Sequence, residues 1–305
     1  MHIKEWISAF RLRTLPLALS CSVAGSLLAA SQEQFNWTTF LLCIATTIFL
    51  QVLSNLANDL GDYQHGTDDD TRVGPTRAMQ TGIITQRQMK IAILIFITLS
   101  LTAGIVLIWN SFRSFNSYLP LVFFFVGILA IIAALKYTYG KNPYGYAGWG
   151  DVFVFIFFGI VGVSGTYFLY TGNLNYTILL PSASIGFLST GVLNMNNIRD
   201  IDNDNAKNKI TIPVRLGFKR AVKYHNTLIT LAFMLGVCFS VIVNSIYSFL
   251  WLLCFPLFLL HLLRVNNKKK TAKFDRELKT LALSTFIFSI LFGLSQILAL
   301  WRYKL

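Results

Sequence analysis

The stretch Asn55–Asp70, NLANDLGDYQHGTDDD, carries five carboxylates (Asp59, Asp62, Asp68, Asp69 and Asp70) directly after the apolar run FLLCIATTIFLQVLS. A second stretch, Asn194–Lys209, NMNNIRDIDNDNAKNK, holds Asp200, Asp202 and Asp204, again where an apolar run ends. The chain has only 13 acidic residues against 26 Lys and Arg, so these clusters concentrate a scarce charge. On a helix, Asn55, Asp59 and Asp62 stand at i, i+4 and i+7, and Asn196, Asp200 and Asp204 at i, i+4 and i+8. Each set is predicted to share one face, where like charges repel unless a cation offsets them. Oxygen-only Asp and Asn donors, with no Cys or His pair, favour Mg²⁺ or Ca²⁺ over zinc. The run DIDND opens like an EF-hand loop, but Asn205 and Thr211 stand where that loop needs Gly and Glu. Mg²⁺ commonly binds through a few carboxylates together with substrate phosphates. Basic segments follow both clusters, RVGPTRAMQTG and KNKITIPVRLG, and are suited to the remaining phosphate charge. The chemistry predicted is that of a metal–diphosphate.

The elements that must position these groups are helices crossing a lipid bilayer. Of the 305 residues 54% are hydrophobic and 13% charged, with a mean hydropathy of +0.58, as in a polytopic membrane protein. Apolar runs near the length of a span lie at about 15–31, 39–57, 91–109, 118–135, 152–170, 177–195, 226–244, 248–264 and 281–301. The expected fold is therefore all-α, about nine transmembrane helices in one bundle around a central cavity, with residues 1–305 forming a single domain. Spanning segments must satisfy their own backbone hydrogen bonds, which selects helices. The N-terminal run, flanked by KEWISAFRLRTLP, is read as a retained first span, not a cleaved signal.

Charge sets the expected orientation. Alternate loops on one side, with the N-terminus, hold 23 of the 26 Lys and Arg; only Arg113, Arg302 and Lys304 lie on the other. By the positive-inside rule the N-terminus is cytoplasmic. The acidic clusters fall on that same side, and Glu33 is the only acid in an outer loop. The net charge of +13 does not imply nucleic acid, because no basic soluble domain carries it. The four cysteines lie within apolar runs without metal spacing and read as small apolar fillers. Asp151 is placed to cap a helix start, and Lys268–Lys270 to face lipid headgroups.

The two clusters resemble the aspartate-rich motifs of the UbiA superfamily of intramembrane aromatic prenyltransferases: Asn58-Asp59-x-x-Asp62 followed by Asp68, and Asp200-x-x-x-Asp204. Tyr137-Thr-Tyr-Gly-Lys141 is similar to that superfamily's Tyr-x-x-x-Lys motif. Within it, RLRTLPLAL (11–19), NLANDLGDYQHGTD (55–68), GPTRAMQTGIIT (74–85), GDVFVFIFFG (150–159) and NNIRDIDNDNAKNKITIPVRLG (196–217) look like the branch that prenylates 1,4-dihydroxy-2-naphthoate in menaquinone biosynthesis. The third acid of the first motif falls at Gly66, with Asp68 a substitute, and Asn208 stands where a glycine is common.

The resemblance implies a cytoplasmic-membrane transferase whose site opens to the cytoplasm. Two Mg²⁺, held by Asp59, Asp62 and Asp68 and by Asp200 and Asp204, would bridge a polyprenyl diphosphate. Arg72, Arg77, Lys141 and Lys209 would neutralise the leaving pyrophosphate, with Asn58, Asn197 and Tyr137 in support. Ionisation leaves an allylic cation for the electron-rich naphthoate to attack, with decarboxylation. Sister acceptors (4-hydroxybenzoate, homogentisate, haem or chlorophyllide) form the runner-up reading. A cation-coupled transporter is the alternative of a different class; it predicts acids near the bilayer midplane and paired Gly/Pro helix breaks.

Overall fold

A computed structural model describes residues 3–67, 77–80, 82–112, 117–267 and 274–301. Among them are nine helices long and apolar enough to span a bilayer, and no strand. In chain order the α-helical elements are α1 (Ile3–Phe10), α2 (Leu15–Ala30), α3 (Trp37–Gln64), α4 (Gln86–Ser111), α5 (Leu119–Lys136), α6 (Gly150–Val154), α7 (Thr166–Thr171), α8 (Leu179–Arg199), α9 (Ile201–Ala206), α10 (Ile212–Leu216), α11 (Phe218–Val243), α12 (Phe255–Asn266) and α13 (Phe274–Trp301). Asn36 caps α3, its side chain accepting from Thr39 N–H at 3.0 Å. Thr85 and Gln88 close a capping box on α4.

Three spans are less regular than apolar length alone suggests. The first is preceded by α1 and a 3₁₀ turn at Leu12–Thr14, with Arg11 in the left-handed region (φ 49°, ψ 55°) at the joint. The fifth, Gly150–Thr171, runs from α6 through a π-helical segment, Phe155–Gly165, into α7. The eighth, Ile246–Asn266, begins as a 3₁₀ helix and becomes α12 at Phe255. Pro256 lies in the first turn of α12, where it lacks the N–H and crowds the carbonyl four residues back.

Two apolar cores hold the bundle. The larger joins α2, the fifth span, α8, α11, the eighth span and α13, centred on buried Trp251, Phe258, Phe288 and Phe292. The smaller joins α1, α3, α4 and α5 around Leu53, Leu56, Leu60 and Met89. The π-helical segment crosses α8 at glycines: a Cβ on Gly159 would lie 2.6 Å from Gly186 Cα. Such contact lets backbones approach where no hydrophobic drive operates between helices in lipid. Spans seven, eight and nine share a buried polar chain, His225 Nε2···His261 Nε2 at 2.9 Å and His261 Nδ1···Glu277 Oε2 at 3.3 Å.

The two ends of the bundle differ. At one lie Asp59, Asp62, Arg199 and Asp275, with the loop after α5. At the other, Trp37, Trp109, Tyr118, Tyr176 and Trp301 are all exposed, the distribution of a membrane-interface aromatic belt. Three of the cysteines are buried as fillers; Cys238 is exposed on the outer face of α11.

Candidate functional site

The last two turns of α3 deliver Asp59 and Asp62, both buried. Two arginines converge on the first: Arg11, from the left-handed joint, pairs with Asp59 Oδ1, and Arg77 Nη1 donates to the same oxygen at 2.6 Å. Arg77 Nη2 also lies 3.5 Å from Asp62 Oδ2. From the second cluster, Lys209 Nζ stands 3.6 Å from Asp62 Oδ1 and 3.7 Å from Asp204 Oδ1. One ammonium therefore touches a carboxylate from each motif, and the two clusters form a single site.

The loop after α5 closes over this centre. Tyr146 donates its hydroxyl to Asp62 Oδ1 at 2.9 Å, pairs with Thr67 Oγ1, and lies under the Lys209 ammonium, 5.2 Å from the ring centre. Its carbonyl accepts from Ile210 N–H at 3.0 Å, which ties the loop to the segment after the second motif. Asn203 Nδ2 donates to Thr67 O at 3.0 Å across the same gap. The approach requires Gly61, whose Cβ would lie 2.5 Å from Thr138 C and O. Burial lowers the Lys209 ammonium's affinity for its proton, but the charges of Asp62 and Asp204 outweigh it and hold Lys209 above its ordinary value. Burial, then the Asp62 charge, raises the Tyr146 phenol, which stays a hydrogen-bond donor.

The helix bearing the second motif does not run straight through it. α8 ends at Arg199 and α9 begins at Ile201, with Asp200 at the joint (φ −96°, ψ 10°). The predicted common face of Asn196, Asp200 and Asp204 is thus interrupted. Asp204 turns toward Lys209, while both oxygens of Asp200 accept from Arg199, Oδ1 from Nε at 2.8 Å and Oδ2 from Nη2 at 2.7 Å. Asn197 is buried, and among the described residues its Oδ1 has no hydrogen-bond partner, nor has the amide of Asn194, one turn earlier.

Other predicted residues fall differently. Asn58 Oδ1 accepts from Thr138 Oγ1 at 3.0 Å and so serves the loop contact. Asn55 anchors the N-terminal segment, donating to Phe10 O at 2.9 Å and Thr14 Oγ1 at 3.0 Å. Tyr137 is half-buried against Tyr144, its phenol raised by desolvation and then by the charges of Asp62, Asp151 and Asp204. Lys141 is exposed at the loop tip and makes no ion pair among the described residues, and the chain turns at Asn142 (φ 53°). Tyr146, five residues on, is the loop residue that meets Asp62. Asp68 and Arg72 lie outside the described residues. Among those described, no three His, Cys, Asp or Glu side chains form a ready-made metal cage. Asp151 accepts from Tyr224 at 3.0 Å beside its helix start.

Sequence reasoning missed Arg11, Tyr146 and Asp275. Arg11 stood within the quoted RLRTLP segment, and its signal was a basic pair just before a membrane span. Tyr146 had only its place in an aromatic loop, and Asp275 had none.

Below the acids, α2, α3, α4, α5 and the fifth span line an apolar cavity of about 260 Å³, with Thr47, Gln51, Gly104, Gly127, Phe157 and Gly162 among its walls. Gln51, one turn below Asn55, donates to its Oδ1 at 3.2 Å, so the chamber lies directly under the charged mouth.

A bundle of membrane-length helices, with an apolar chamber beneath a mouth of paired carboxylates and cations, defines a multi-pass membrane protein. Residues 18–301 match the UbiA prenyltransferase family. The chain belongs to that family. It is 38% identical over 299 residues to the 1,4-dihydroxy-2-naphthoate octaprenyltransferase of Haemophilus influenzae, covering 97% of this chain and 96% of that protein. It is 36% identical to the Escherichia coli protein of the same name, covering 98% and 96%. Its fold matches a UbiA homolog from Archaeoglobus fulgidus bound to GPP and Mg²⁺, with a TM-score of 0.71 at 17% identity over 96% of this chain and 99% of that one.

Proposed function

We propose that this protein transfers a polyprenyl group from an allylic diphosphate to 1,4-dihydroxy-2-naphthoate, with decarboxylation to demethylmenaquinol, and that the whole chain works as one catalytic unit. The observation that carries the reading is Lys209, within 4 Å of Asp62 and Asp204 at once, over an apolar chamber. The names of the full-length relatives in Haemophilus influenzae and Escherichia coli supply the acceptor.

Mg²⁺ suits the donors present: buried Asp59, Asp62, Asp200 and Asp204, with the orphaned amide oxygen of Asn197 beside them. Two ions, one at each motif, supply charge neutralisation for the diphosphate when bound. Arg11, Arg77 and Lys209, paired with those carboxylates here, turn to the phosphate oxygens and hold the pyrophosphate as its C–O bond breaks. Tyr146 orients Asp62 from the opposite side. The tail occupies the dry chamber below, where water cannot quench the allylic cation. A ring carbon of the naphthoate supplies the electron pair of the new C–C bond, and the carboxylate leaves as CO₂. The charged mouth lies on the cytoplasmic face of the inner membrane, by the distribution of Lys and Arg.

The test uses purified protein in lipid nanodiscs, a radiolabelled allylic polyprenyl diphosphate and 1,4-dihydroxy-2-naphthoate, with Mg²⁺ or EDTA. A Mg²⁺-dependent, prenylated and decarboxylated naphthoquinol is expected. Prenylation of a different aromatic acceptor in its place overturns the acceptor, and no transfer to any acceptor overturns the function.

A further inference from the structure

Arg199 is a buried cation, its side chain 1% exposed, and such a charge requires compensating carboxylates. It has two. One is its neighbour Asp200, gripped through Nε and Nη2; the other is Asp275, whose Oδ1 accepts from Nη1 at 2.8 Å. Asn196 Oδ1 accepts from Nη2 at 2.9 Å and completes the fork. Asp275 sits in the first turn of α13, where the helix dipole favours an anion. Arg13, two residues beyond the Asp59 partner Arg11, reaches Asp275 Oδ2 at 3.3 Å from the other side. The ninth span thus holds the guanidinium that holds Asp200.

The arrangement has a purpose in the proposed chemistry. Arg199 engages both oxygens of Asp200, so a divalent cation must compete with the guanidinium for them. Asp275 gives that guanidinium a second carboxylate, which it keeps when Asp200 shares its electrons with a metal, and Arg13, 37% exposed, also pairs with Asp275. Partners that orient a metal's ligands commonly govern affinity by 10- to 100-fold.

We infer that Asp275 is a positioning residue of the second motif, acting through Arg199 to keep Asp200 directed and able to accept Mg²⁺. The inference rests on the proposed Mg²⁺–diphosphate function. Nothing in the second motif marks Asp275, which lies 76 positions from Arg199.

The test measures Mg²⁺ binding directly on full-length protein in detergent, with a non-reacting thiodiphosphate analogue of geranyl diphosphate present. Thermal stabilisation is titrated against Mg²⁺, and Mn²⁺ paramagnetic resonance counts bound ions. Wild type, Asp275→Asn, Asp275→Glu and Asp200→Asn are compared after their metal-free melting temperatures are recorded, so that a folding defect is seen separately. Asp275→Asn is expected to need about tenfold more Mg²⁺ for half-stabilisation, and Asp275→Glu to return within about twofold of wild type. An unchanged Mg²⁺ requirement in Asp275→Asn, with wild type responding and Asp200→Asn not, overturns the role of Asp275 alone. A wild type that binds no metal overturns the metal-dependent function and this inference with it.

Discussion

Replacing Gly61 by alanine tests whether the loop after α5 must be held against α3 for the site to work. Gly61 lies between Asp59 and Asp62, and the new methyl would sit 2.5 Å from the Thr138 backbone and 2.7 Å from its Oγ1. Carbon atoms settle near 3.5 Å or more, so loop and helix must part by about 1 Å. Alanine in a helix interior gains about 1 kcal/mol over glycine, whereas overpacking costs about 1–3 kcal/mol. Net stability therefore falls by no more than about 2 kcal/mol, and the protein stays folded. Activity suffers more, because the same loop carries Tyr146 to Asp62. A misplacement of about 1 Å can cost on the order of 100-fold in rate. The assay compares the prenyl-transfer kcat/KM of Gly61→Ala with that of wild type, and its melting temperature with that of Gly104→Ala, whose Cβ would meet nothing within 4 Å. Gly104→Ala is expected to melt at or above wild type. A Gly61→Ala protein with wild-type kcat/KM refutes the claim that this approach builds the site.

Three further outcomes follow from the same geometry. Tyr146→Phe loses a hydrogen bond to a charged acceptor, about 1.5–3 kcal/mol, but keeps its ring under Lys209; steady-state kcat/KM is expected to drop at least about tenfold, and Tyr146→Ala further, with equal values for all three speaking against the contact. Asp59→Asn strips the shared partner from Arg11 and Arg77, so both turnover and the metal-free melting temperature are expected to fall, measured by thermal unfolding without added metal. Lys209 is held above its ordinary value of about 10.4, so its stabilising charge is complete below that pH and is lost only as pH rises through the higher folded value. Rate profiles of wild type and Lys209→Arg between pH 6 and 9 are then expected to share one shape, and an inflection lost with the substitution would contradict the assignment.

The sequence announced the spans because a bilayer core imposes one strong constraint, about 20 apolar residues each, and nothing local competes with it. The π-helical stretch in the fifth span and the 3₁₀ start of the eighth escaped that reading. Neither departure changes hydropathy, the property from which the spans are read. Asp59, Asp62 and Asp204 were legible because helical spacing puts chemistry within a few residues. Arg11, Tyr146 and Asp275 meet their partners across 48, 84 and 76 positions, distances over which no periodicity survives. Lys141 sits at an exposed loop tip beside the left-handed turn at Asn142, and spacing along a loop does not say which of its side chains meets the acids.

The exposed rings of Trp37, Trp109, Tyr118, Tyr176 and Trp301 sit at the end opposite the acids. Rings of this kind settle at the headgroup level and so fix the height at which the bundle floats. The charged mouth then lies one hydrocarbon thickness away, about 30 Å. In the proposed reaction an amphiphilic donor keeps its own anionic head at the opposite interface, so protein and donor are aligned vertically before they touch. Lipid acyl length then becomes a parameter of recognition. A bilayer several ångströms too thick or too thin costs fractions of a kcal/mol per ångström, and it offsets the proposed diphosphate from Lys209 by the same few ångströms.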